Sequence, residues 1–168
     1  DLKVAQIEAW RRERLGDAAT LAHAPFLTDH RPALEAYLHS YRRAYGYRTI
    51  SVVDRTGAPV LTSPAGTQEP VPLLLMAEVA QVTEVLVEDL HRAADGTMRM
   101  GFIAPLRSQQ GEFTGAIVLR ADANTHLYPI LQSWPAPSDT AETVLVRREG
   151  LSVVFLSHLR FRPNAAVT

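Results

Sequence analysis

Apolar and polar positions repeat with two different periods along this chain, helical at its start and strand-like through most of the remainder. Residues 2–24 hold no proline and a single glycine and are rich in Ala, Leu, Arg and Glu, all good helix formers. Leu2, Ala5, Ala9, Leu15, Ala18, Ala19 and Ala22 fall near helical spacing, with Val4, Ile7 and Trp10 on an adjoining strip. The pattern predicts one continuous helix, about 35 Å long, stopped by Pro25. A helix apolar on two strips needs two neighbours, which its own domain and a partner chain can supply. A second helix is predicted from Pro32 to about Tyr45, with Leu34, Tyr37, Leu38, Tyr41 and Tyr45 as its stripe and Gly46 beyond its end.

From Arg48 the period changes. Residues 48–54 and 58–62 flank Arg55-Thr56-Gly57 and predict a hairpin. Residues 63–72 contain three prolines and a glycine and predict a loop, followed by a short helix over 73–82. The β-branched run 83–90 predicts a buried strand. Asp95-Gly96 then turns into a hairpin of 97–106 and 112–122 around a polar turn at 107–111. A helical stretch near 125–134 ends at Pro135, and a last hairpin pairs 141–148 with 151–156 across Glu149-Gly150. The fold class that follows is α+β: a five-stranded antiparallel sheet with helices gathered on one face, a long N-terminal helix and a C-terminal β-hairpin.

At 168 residues the chain suits one domain, or one domain with a fragment of another. A net charge of −1 gives no pull toward nucleic acid or an anionic membrane. With no cysteine, disulfides and thiolate metal sites are excluded. No apolar run approaches the ~20 residues of a membrane span. The start at Asp1 predicts missing upstream sequence.

Several stretches carry a resemblance: Ile7-Glu8-Ala9-Trp10 with Glu13-Arg14 and Asp17-Ala18, Pro105-Leu106, Gly115 to Asp122, Leu127-Tyr128-Pro129, Ser133-Trp134-Pro135 and Thr140 to Arg148. Together with the element order, these resemble the Cache or PDC sensor domains, PAS-like extracytoplasmic modules of bacterial transmembrane receptors that precede histidine kinase, diguanylate cyclase or phosphodiesterase modules. The resemblance covers nearly the whole chain. It implies a signalling and dimerisation helix at 1–25, a sensor domain at 26–136, and a linker and hairpin at 137–168 that opens a second, truncated lobe. Residues 157–168 are then expected to be poorly anchored. It further implies a periplasmic location, a homodimer, contact with the membrane only through flanking spans, and a small-molecule ligand between the sheet and its covering loop.

Chemistry-bearing patterns are sparse. The six histidines form no H-x-x-x-H or H-E-x-x-H pair, no serine sits in a G-x-S-x-G elbow, and no glycines gather into a phosphate loop. The sequence reads as non-enzymatic and without cofactor or metal. Asp54-Arg55-Thr56-Gly57 reads as a plain turn, with the Asp side chain bonding the backbone. Strand alternation puts Arg99, Gly101 and Ile103 on one face and Met98, Met100 and Phe102 on the other. Arg99 and Arg120, on neighbouring strands, are candidates to pair with a carboxylate ligand. His91, at the end of the third strand, Tyr47, at the entry to the sheet, and Asp122 complete the candidate set. Asp122 stands where amino-acid-binding Cache domains end their motif, but residues 63–82 lack the Tyr, Arg and Trp that motif needs. The resemblance therefore does not extend to amino-acid recognition. The alternative reading is a dimerisation or protein-docking module whose cavity is filled by its own side chains.

Overall fold

The computed structural model describes residues 2–24, 31–66, 69–133 and 143–157. Among the described residues, four helices, α1 (Leu2–Ala22), α2 (Arg31–Tyr45), α3 (Leu73–Gln81) and α4 (Leu127–Gln132), accompany a five-stranded sheet. Its strands are β1 (Thr49–Asp54), β2 (Pro59–Ser63), β3 (Leu86–Arg92), β4 (Met98–Arg107) and β5 (Phe113–Asp122). A separate hairpin pairs β6 (Val146–Glu149) with β7 (Ser152–Phe155). The sheet order is β2-β1-β5-β4-β3, antiparallel throughout. The expected α+β architecture is the observed one. The third strand starts three residues later than the β-branched run suggested, because pairing with β4 begins at Leu86 opposite Ile103.

Two cores lie on opposite sides of the sheet. On one side α1, α2 and α4 pack through Trp10, Ala18, Leu21, Leu34, Leu38, Leu127 and Leu131 onto Ile50, Phe102, Ile117 and Leu119. Trp10 stands edge-on to Phe102, ring centroids 5.9 Å apart, which fixes α1 to the middle of the sheet. The strip on α1 divides: Trp10 is buried, Ile7 half-buried against the core, and Val4 exposed. On the other side Val71, Met76 and Val79 cover Val53, Ile103, Ala116 and Val118. The helices are therefore not all on one face as expected. The apolar side chains of α3 need a hydrophobic floor, and the second face of β1, β4 and β5 supplies it.

Gly57 anchors the covering segment. It sits at φ 83°, its carbonyl accepts from the Val71 amide at 3.0 Å, and a Cβ there would lie 2.2 Å from the Val71 oxygen. The β6–β7 hairpin is tied down at its base: Leu156 is buried in the helical-side core, its amide donates to the Leu145 carbonyl, and its own carbonyl accepts from the Tyr128 hydroxyl. The Trp134-Pro135 link, the start of the predicted strand at 141–142 and the tail from 158 lie outside the described residues.

Candidate functional site

The floor of the site is built by strand alternation and one irregularity. Arg120 pairs with Gly101, and Gly101 with Glu88, in a single row across β5, β4 and β3. The next row sets Asp122, Arg99 and His91 side by side. Between Glu88 and His91 the β3 register shifts, three steps on β3 matching two on β4. This bulge brings His91 back to the face that Glu88 occupies, where regular alternation would turn it away. Arg99, Arg120, Glu88 and His91 meet on the α3 side around Glu69, the face that strand alternation gives Arg99.

Both arginines are buried, their side chains 4% exposed for Arg99 and 1% for Arg120. Buried guanidinium groups demand partners, and the partners are acidic. Glu69, in the segment leading to α3, places Oε2 2.5 Å from Arg99 Nη1 and 3.4 Å from Arg120 Nη1. Its Oε1 lies 3.6 Å from His91 Nε2, and its backbone carbonyl accepts from Arg120 Nη1 at 2.8 Å. Glu88 takes Arg120 Nε at 3.1 Å. Thr97 Oγ1 takes Arg99 Nε at 2.9 Å, and Asp95 pairs with Arg99 Nη2. Hydrogen bonds from the Thr97 hydroxyl and amide, then the charge of Arg99, pull the Asp95 carboxyl down to about 2.

Glycine at 101 is what lets Glu88 reach Arg120. A Cβ there would lie 2.3 Å from Glu88 Oε2 and 2.9 Å from Glu88 Cβ. A Gly101→Ala variant is expected to lose about 1–3 kcal/mol of stability from overpacking. Urea unfolding checks this; an Ala variant as stable as the parent would show that the Glu88 side chain has room to turn aside.

The remaining candidates are placed elsewhere. Tyr47 belongs to the opposite, helical face, where it is buried, donates to Asp17 Oδ2 at 2.5 Å and lies under the Arg14 guanidinium, 5.0 Å from its ring centre. Burial and that hydrogen bond drive the Tyr47 hydroxyl pKa far up. Asp17 also accepts from Tyr41, so this cluster joins α1 to α2 and to the chain entering β1. Asp122 shares the row of Arg99, but its Oδ1 is engaged by the Asn124 amide and side chain at 2.8 and 3.1 Å, holding the turn after β5. Asp54 does the same for Thr56 and Ala58, as its turn motif predicts. The sequence reading missed Glu69, a lone acid among prolines, and the link from Glu88 to Arg120. An open cleft of about 440 Å³ between α2 and β2 is lined by Arg31, Glu35, His39 and Ser63. It is separate from the arginine pair, and Arg31 there is already held by Glu35 and the Val60 carbonyl.

Comparison with solved structures gives this geometry its context. The sensory domain of the Campylobacter jejuni chemoreceptor Tlp3, with isoleucine bound, superposes with a TM-score of 0.61 at 11% identity, over 79% of this chain and 60% of that one. The ligand-binding domain of the Pseudomonas aeruginosa amino-acid chemoreceptor PctC, in complex with GABA, gives 0.63 at 13% identity over 79% and 64%. The sensor domain of the V. cholerae histidine kinase DctB gives 0.63 at 15% identity over 82% and 57%. The fold is the Cache, or PDC, fold. The chain spans about three fifths of the length of these Cache structures. No family model matches the sequence, and no curated protein does. Within the Cache frame the arginine pair lies on the sheet face beneath α3 and the segment before it.

Proposed function

We propose that this chain is the sensing domain of a bacterial membrane receptor, extracytoplasmic in location, that binds a small acidic molecule between β3-β4-β5 and the segment 69–82. The observation that carries the reading is the pair of buried arginines, Arg99 and Arg120, side by side on the sheet floor with Glu69 from the cover across both. Two desolvated guanidinium groups facing one carboxylate position form a strong, geometrically selective acid receptor. The amino acids named for Tlp3 and PctC are ligands of that size and carry that group. The Tyr, Arg and Trp contacts of amino-acid-binding Cache domains are absent from 63–82, which favours an acid without the amino-acid backbone as ligand.

Transmission runs through α1. Trp10 on Phe102 ties α1 to β4, whose other face holds Arg99, and Asp17 on Tyr47 ties it to the chain entering β1. A ligand moves α1 only as far as it binds one arrangement better, with about 1–3 kcal/mol typical of such coupling. Pairing of two copies along α1, with membrane spans flanking the chain, completes the proposal. Calorimetry against a panel of small mono- and dicarboxylates and amino acids tests it. Arg99→Ala is expected to weaken any hit more than tenfold, or about 1.5–3 kcal/mol; an unchanged affinity would remove Arg99 from the site.

A second reading, a docking module with a self-filled cavity, is favoured by Val71, Met76 and Val79, which seat the cover on the sheet. Failure of the whole panel to bind would support it.

A further inference from the structure

We infer that Glu69 is a tethered pseudo-ligand: its carboxylate occupies the anion position of the arginine pair, and a free acid engages the domain by displacing it. The free competitor rests on the sensing reading above; the latch itself rests on geometry alone.

Among the described residues, the other partners of the two arginines come from the sheet and its turn. Arg99 is held by Thr97 and Asp95, just ahead of it in the chain, and Arg120 by Glu88 on β3. Glu69 comes from the cover, and its Oε2 is shared by both guanidinium groups. One carboxylate thus sits where two cations converge, with the His91 ring 3.6 Å from its second oxygen. That is how a bound organic acid is held, supplied here by the chain itself.

The carboxylate is also reachable. The Glu69 side chain is 25% exposed, whereas the arginines beneath are almost fully covered. The cover is anchored independently, at Val71, whose amide bonds Gly57 and whose side chain is buried with Met76 and Val79. Pro70 and Pro72 flank that anchor and restrict the backbone around it. Glu69 can therefore swing outward while Val71 and α3 stay on the sheet. Departure of Glu69 leaves Arg99 and Arg120 with Asp95 and Glu88, so the arginines keep partial compensation while the vacated position accepts another anion. Tethering makes the competitor intramolecular, and an external acid must outbid its effective concentration, so the latch sets a threshold for response.

Chemical rescue tests this with the purified domain and no knowledge of the natural ligand. Glu69→Ala is expected to lower the Tm, and about 100 mM sodium acetate to restore most of the loss through mass action. Sodium chloride at equal ionic strength is expected to restore none. Acetate is expected to leave the parent unchanged and to have no effect on Glu69→Ala combined with Arg99→Met. Glu69→Gln, which keeps the side-chain volume, provides the same measurement by calorimetry if the alanine variant folds poorly; acetate heat in the variant and none in the parent is the expected result. Equal acetate response in parent and variant, or none in either, overturns the latch. The two readings fail separately. A panel acid that binds parent and Glu69→Gln with equal affinity overturns the latch and supports sensing. Acetate rescue of the variant with no panel compound binding the parent supports the latch and overturns sensing.

Discussion

Replacing Arg120 by methionine is expected to destabilise the domain by about 3–5 kcal/mol, the cost of removing one partner from a buried ionic cluster. Arg120 is the most enclosed charge of the site, 1% exposed, and satisfies the Glu88 carboxylate and the Glu69 carbonyl together. Methionine fills much of the volume but leaves Glu88, 12% exposed, facing an apolar side chain. Combining Arg120→Met with Glu88→Leu is expected to recover a large share of the loss, since the uncompensated carboxylate goes with its partner. Urea unfolding of the four proteins in that cycle checks both statements. A single methionine variant within about 1 kcal/mol of the parent would mean that the arginine is not integral to the fold.

The second large effect is expected on the opposite face. Trp10→Ala removes the side chain that seats α1 on Phe102 and stacks with His126, and is expected to lose about 3–5 kcal/mol. Trp10→Phe is expected to cost much less, under about 1.5 kcal/mol. The indole Nε1 is buried with no hydrogen-bond partner among the described residues, so phenylalanine forfeits area but no polar contact. Equal losses in the two variants, measured by denaturant unfolding, would show that the indole nitrogen and not the packing holds α1 in place.

The sheet was legible because glycine turns and period-two alternation agree over residues 48–62 and 97–122, where burial on both faces still leaves a clear phase. The same alternation placed Arg99 and Arg120 together. Glu69 was not legible: a loop acid acquires its partner only when the cover docks, and nothing local in a Pro-rich stretch encodes that. The bulge that turns His91 inward was equally hidden, since Asp89-Leu90 differs in no obvious way from a regular strand. Arg14 and Asp17 look like an ordinary i,i+3 surface pair on a helix. Only the approach of Tyr41 and Tyr47 converts them into a buried knot. The direction of Tyr47 is not legible either, because a residue just outside a strand has no alternation to fix which face it joins.

The position of β5 also governs how the sheet can come into being. It lies at the centre, between β1 and β4, although it is the last of the five strands in the chain. The β1–β2 and β3–β4 hairpins close locally, but joining them waits for β5, and its pairing with β1 closes a loop of about 60 residues. Such distant pairing slows folding relative to helical domains of equal size. A nascent chain that has emerged only as far as β4 holds two unconnected hairpins, each with an open edge toward the missing strand. The five-stranded sheet is therefore expected to assemble only after residues 113–122 have been made.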